Sequence, residues 1–222
     1  MQTLSTLGDV LTAMSAYAGG SVPATTDDAY LQWVEWISDA QEDAAERGFW
    51  GRLLTKADLT IAVDGVTATL PTDFHKRNGI YSLTVDDVDW NEANNSAEQK
   101  LFVNKNTAGE WVVRFNGFTP TEAATGTLWY FRHPGILDAE ADVLALDGKM
   151  CKFGALAEYY RQAGELGSLD DARQEYNNRF EELLGLEMLP SPQELTSWKP
   201  YYQHANQNVN EHTYYTRNRR RL

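Results

Sequence analysis

Apolar side chains recur at spacings of three and four at Leu4, Leu7, Leu11, Met14 and Tyr17, and Gly19-Gly20 follow as a stop. The pattern predicts a short amphipathic helix from Leu4 to Ala18. A second helix follows Pro23, with Thr25 or Thr26 as its cap, Asp27 and Asp28 at the positive end of its dipole, and Gly48 as its end. Its apolar positions are Tyr30, Trp33, Ile37, Ala40 and Ala44. From Lys56 the period falls to two: Leu59, Ile61 and Val63 alternate with polar residues, and Val66 and Ala68 resume the alternation after Asp64-Gly65. A β-hairpin is expected there. Further strand-like runs are Ile80 to Val85, Lys100 to Val103, Trp111 to Phe115 and Thr127 to Phe131, separated by polar or Gly-containing stretches that include Asn91 to Glu98.

Helical spacing returns at Val143, Leu146, Met150, Phe153, Ala157 and Tyr160. A fourth helix is expected from a capping box of Ser168 and Asp171, with the seam Leu169, Ala172, Tyr176, Phe180 and Leu183, ending at Gly185. Beyond Leu189 the periodicity stops, because Pro190, Pro192 and Pro200 interrupt any helix and Gln203 to Asn210 is polar throughout. The predicted class is α+β: an antiparallel helical bundle built from residues 1–55 and 138–189, an antiparallel β module inserted over 56–137, and an extended C-terminal arm over 190–222. Those last 33 residues could reach about 100 Å fully extended. Trp198, Tyr201, Tyr202, Tyr214 and Tyr215 have no core of their own to enter. A disordered tail and a segment that folds on a partner are both compatible with this composition, and the aromatics favour the partner.

A chain of 222 residues with 42% apolar side chains can bury a sizeable core. The formal charge of −13 is uneven: residues 187 to 222 hold Lys199, Arg217, Arg219, Arg220 and Arg221 against Glu187, Glu194 and Glu211, a net of +2. The remaining body carries −15 and would repel DNA phosphates, while the C-terminus would attract an acidic partner. One cysteine, Cys151, excludes an intramolecular disulfide and the usual multi-thiolate zinc sites, so a reducing compartment is expected. No apolar run is long enough for a membrane span, and the N-terminus lacks the basic start and apolar stretch of a signal peptide.

Little in the chain suggests catalysis. Asp86, Asp87 and Asp89 beside Trp90 lack the Gly and terminal Glu of an EF-hand loop and read as a solvated acidic turn. His75, His133, His204 and His212 show no HxxxH or HExxH spacing, and no phosphate-binding Gly loop occurs. No cofactor or metal is expected. A small hydrolase resting on His75, His133 and the Asp86 to Asp89 cluster stands as the rival from another class. Cys151 reads as a small buried side chain. Trp33 and Trp36 lie three apart on the second helix: core packing is expected for Trp33, and for Trp36, off the main seam, a contact between subunits. The Arg217, Arg219, Arg220 and Arg221 cluster has three open uses: an acidic protein groove, the DNA backbone, or solubility.

Three strings carry a family resemblance: Leu70-Pro71-Thr72-Asp73-Phe74, Leu128-Trp129-Tyr130-Phe131-Arg132-His133-Pro134, and Gly154-Ala155-Leu156-Ala157-Glu158-Tyr159-Tyr160. Their order and spacing over residues 26 to 186 resemble the head-to-tail adaptor proteins of tailed bacteriophages, including the tail tubular protein A type. The size of the β insertion, the length of the arm and the polar loop Asp86 to Glu98 depart from a minimal adaptor. The resemblance implies a virion protein without enzymatic activity, assembled in the host cytoplasm into a ring of about twelve copies beneath the portal. It implies a portal protein and a tail nozzle or tail tube protein as partners, with possible tail fibres, and double-stranded DNA passing through without specific binding. On this reading the arm grips the portal through Trp198, Tyr201, Tyr202, Tyr214, Tyr215, Arg217, Arg219, Arg220 and Arg221. A tail-side nozzle or fibre-docking subunit is the structural alternative.

Overall fold

The computed structural model describes residues 5–75, 79–86, 88–90, 100–118, 120–187 and 189. Helix α1 spans Leu7–Ser15 and α2 spans Asp28–Arg47; a 3-10 turn at Gly51–Leu53 leads into the β region. That region holds β1 Leu54–Ile61, β2 Thr67–Thr69, β3 Ile80–Val85, β4 Val88–Trp90, β5 Lys100–Lys105, β6 Trp111–Asn116 and β7 Ala124–Phe131. Helices α3 Gly148–Ala163 and α4 Leu166–Glu187 follow. The class is α+β, as the periodicities predict.

Four helices share one core. Leu7, Val10, Leu11 and Met14 of α1 are fully buried, and the expected α4 seam of Leu169, Ala172, Tyr176, Phe180 and Leu183 is the set that α4 buries. Trp50 fills the middle, with Phe180 edge-on at 5.6 Å and its indole N–H donating to the Ala44 carbonyl at 2.7 Å. That hydrogen bond satisfies the polar edge of the buried indole.

The helix ends differ from the sequence reading in all four helices, and α1 runs only from Leu7, under a Thr6 cap, to Ser15. Asp27, not a threonine, caps α2, and its carboxylate accepts from the Ala24 N–H rather than from the helix. α3 begins at Gly148 under an Asp147 cap that accepts from the Met150 N–H at 2.9 Å, and Val143 is 71% exposed. Residues 140–144 pair instead with the chain entering α1: the Leu7 N–H donates to the Asp142 carbonyl, Gly8 to Glu140, and Leu144 to Ser5. A bridge to an extended neighbour satisfies these backbone groups outside any helix. α4 starts at Leu166 and runs through Gly185 to Glu187, so Ser168 is not its cap. There Arg52 donates to Glu187 at 2.6 Å and the Leu189 N–H to the Phe49 carbonyl at 2.7 Å. Leu189, the last described residue, is therefore held beside the 3-10 turn, where the bundle meets the β region.

The β region forms two antiparallel sheets, ordered β1-β7-β3-β4 and β2-β6-β5. The expected β1–β2 hairpin does not form. A turn closes at Asp64-Gly65, with the Gly65 N–H donating to the Ala62 carbonyl at 2.8 Å, but the Asp64 N–H goes to Pro120 and β2 pairs with β6. A Cβ on Gly65 would lie 2.7 Å from the Ala62 oxygen, so the turn needs glycine. Paired as a hairpin, β1 and β2 would present their apolar residues on one face of one sheet. Split between sheets, Leu59 and Ile61 face Ala68, Leu70, Val113 and Phe115 across a shared core. Strand β4 is absent from the sequence reading because its flanks are acidic; Trp90 draws it inward, buried edge-on against Phe115 at 5.3 Å and Phe118 at 5.5 Å. Phe131, at the end of β7, belongs to the helical core and touches Phe49 at 5.4 Å and Tyr81 at 5.8 Å. Its neighbour Tyr130 belongs to the β core. Among the described residues no helix is long and apolar enough to cross a membrane.

Candidate assembly surface

Trp198, Tyr201, Tyr202, Tyr214, Tyr215, Arg217, Arg219, Arg220 and Arg221 lie outside the described residues. Trp36 is 7% exposed, and its ring meets Tyr159 of α3 edge-on at 6.5 Å, while Trp33 meets the same tyrosine at 6.2 Å. Both indoles thus pack on α3 within one chain.

Glu35, Asp39 and Glu42 project from α2 at spacings of four and three. At about 100° per residue they stand on the side of α2 away from Ile37, which is fully buried. Partial burial, then the charges of Glu35, Glu42 and Glu158, hold the Asp39 carboxyl above its ordinary value. Glu42 contacts His133 at 3.3 Å, and Glu158 pairs with Arg161. Glu35 and Asp39 have no ion pair among the described residues.

A second charged feature lies on α3. Lys152 is 7% exposed, with its ammonium 4.0 Å from the Phe153 ring centroid and 4.6 Å from that of Tyr17. Lys149 approaches the same Phe153 ring at 6.0 Å. The structure also joins α3 to α4 through Asp147, whose two oxygens accept from Arg179 Nε at 3.1 Å and Nη2 at 2.7 Å. Arg179 Nη1 donates to Glu182 at 2.6 Å. Burial pushes the Asp147 carboxyl up, but the Arg179 and Met150 hydrogen bonds and the Arg179 and Arg52 charges outweigh it, leaving it below the usual range.

The residues considered for chemistry are placed as follows. The His75 and His133 rings come within 5.8 Å of each other, beside Asp73, which accepts from the Tyr130 hydroxyl at 2.7 Å. Burial and that hydrogen bond push the Tyr130 hydroxyl up, which favours a neutral structural donor. Asp86 occupies a left-handed turn between β3 and β4, at φ 48°. Among the described residues no three His, Cys, Asp or Glu side chains are grouped to hold a metal ion. Cys151 is fully buried, and burial followed by the Asp147 charge pushes its thiol up, away from the nucleophilic thiolate. Residue spacing could not have paired His75 with His133, because an isolated bridge between Phe74 and Arg132 brings them together. Nor does it mark Lys152, whose burial depends on Tyr17 crossing from the end of α1.

A family model described as SU10 adaptor protein matches residues 5–220. No curated protein matches the chain.

Proposed function

The chain belongs to the SU10 adaptor protein family, and from that membership we propose that it forms a ring under the portal, anchors there by its C-terminal arm, and connects the portal to the tail around the DNA channel. The observation that carries this reading is the extent of the family match, which runs through residue 220 and so includes the arm as well as the folded body. The fold supports it physically. The last described residue, Leu189, is tied to Phe49, so an arm starting there is rooted at a fixed point on a rigid body. A tethered segment acts at high effective concentration, and repetition around a ring multiplies modest contacts. Trp198, Tyr201, Tyr202, Tyr214 and Tyr215 would supply aromatic anchors, and Arg217, Arg219, Arg220 and Arg221 would pair with carboxylates.

The acidic body, at −15 for residues 1 to 186, suits a wall past which DNA must slide, since neutralising contacts with phosphates would hold the duplex. The role is mechanical and requires no reaction. Co-sedimentation with purified portal rings tests it, comparing the full chain with a version ending at Leu189. Binding by the full chain and its loss on truncation is the expected result, with weaker binding at higher salt as the arginines are screened. Equal binding by both versions would remove the arm from the account. Binding by neither, with binding to isolated tail protein instead, would make this a tail-side nozzle or fibre-docking subunit.

A further inference from the structure

Among the described residues Lys152 is the one buried lysine, arginine or carboxylate. Burying a lysine is costly unless its charge is matched, and two aromatic faces match it only in part. Its ammonium has no hydrogen bond or ion pair among the described residues. It lies in a sleeve made by Phe153 and the 53% exposed Tyr17. Lys149 stands one turn away with no carboxylate partner among the described residues, in the first turn of α3, where the helix dipole disfavours a cation. An amphipathic cleft with two unmatched ammonium groups, on a body of net −15, calls for a carboxylate from outside the chain.

The same chain displays the complement. Glu35 and Asp39 are unpaired among the described residues, and Asp39 is crowded by Glu35, Glu42 and Glu158. The two features do not neutralise each other within one copy. Gly154 faces Ala40 of α2 and Tyr176 of α4, and Lys152, two residues earlier, leaves α3 about 160° away from it. The cleft thus opens away from the contact between α3 and α2. Two complementary patches on different sides of one subunit make a heterologous contact, which repeats from copy to copy and closes into a ring if the rotation permits.

We propose that Lys152 and Lys149 of one copy receive the Glu35 and Asp39 carboxylates of the next, as the repeating contact between subunits. This rests on the ring proposed above, and it assigns the ring's charged seam. Two full-length variants test it. The first combines K149E with K152M, which keeps the side-chain stem against the rings; the second combines E35K with D39K. Thermal melting establishes that each is folded. Self-association is read by sedimentation velocity of the chain alone, and loading is read as copies bound per portal ring.

Each variant alone is expected to self-associate at least about tenfold more weakly than the wild type, because like charges then face each other. An equimolar mixture is expected to recover assembly. The cleft of the first variant, reversed at one position and neutral at the other, then meets the charge-reversed α2 patch of the second, while the unaltered Lys149 and Lys152 of the second meet the unaltered Glu35 and Asp39 of the first. Assembly of either folded variant at wild-type strength, or no recovery on mixing, would overturn the seam. So would a wild type that contacts itself neither alone nor on portal rings. Unchanged assembly with loss of duplex DNA binding in K149E/K152M would overturn it too, and would identify phosphate as the occupant. Portal binding by single copies of both variants, without recovery on mixing, would leave the adaptor role standing while the seam failed.

Discussion

Replacing Gly154 by alanine reverses the usual sign of a glycine-to-alanine change in a helix. In an unconstrained helix interior the substitution gains about 1 kcal/mol from reduced chain entropy. At position 154 the added Cβ would sit 2.5 Å from the Cβ of Ala40 and 3.3 Å from two ring carbons of Tyr176. Carbon atoms settle at about 3.5 to 4.0 Å, so α2 and α3 must part by roughly 1 Å. Neither neighbour can swing aside, because Ala40 has no rotamer and Tyr176 is held by its hydroxyl donating to Asp43 at 2.8 Å. Overpacking of this kind costs about 1 to 3 kcal/mol, and a hard methyl-to-methyl contact belongs at the upper end. The net expectation is destabilisation of about 1 to 2 kcal/mol. For a chain of this size that lowers Tm by about 2 to 8 °C. Thermal and urea unfolding followed by circular dichroism measure it. Adding A40G should return part of the loss, with a coupling of about 1 kcal/mol or more between the two sites. A G154A protein more stable than the wild type would refute the close approach of α2 and α3.

Three further outcomes follow from the same structure. R179M leaves Asp147 without its bidentate partner and should cost about 2 to 3 kcal/mol near neutral pH; because the Asp147 carboxyl is held below its unfolded value, that contribution is fully present above about pH 4 and fades as pH falls through the folded value, so wild type and variant should converge in acid unfolding curves. Q41L removes a fully buried oxygen that accepts from the Ala145 and Leu146 N–H groups at 2.8 and 3.3 Å, and chemical unfolding should show a loss of about 2 to 4 kcal/mol for the orphaned donors. Cys151 should resist a thiol reagent in the native protein and react promptly in denaturant; rapid native labelling would contradict its burial.

The parts of this fold legible in the sequence are those where periodicity and burial coincide. The α4 seam from Leu169 to Leu183 reads directly because each of its residues faces the same core. The Asp64-Gly65 signal correctly marks a turn, but turn chemistry is local and does not say whether the two strands pair or part into different sheets. The α3 start is misplaced for a similar reason: Val143 and Leu146 carry a helical spacing, yet the chain around Ser5 and Leu7 offers residues 140–144 a better backbone partner in extended form. Trp90 hides within an acidic stretch although its ring is central to the β core. The proposed charged seam is the least visible of all. Nothing in their sequence neighbourhood distinguishes Lys149 and Lys152, and only the crossing of Tyr17 over α3 turns one of them into a buried, unmatched cation.

The most direct test of the adaptor role is to assemble phage particles with and without this chain and to count, by electron microscopy, heads that have acquired tails. The account predicts portal-bearing heads without tails when the chain is missing, and recovery of tailed particles when purified full-length protein is added back, but not when a version ending at Leu189 is added. Tailed, infectious particles formed in the absence of the chain would contradict it.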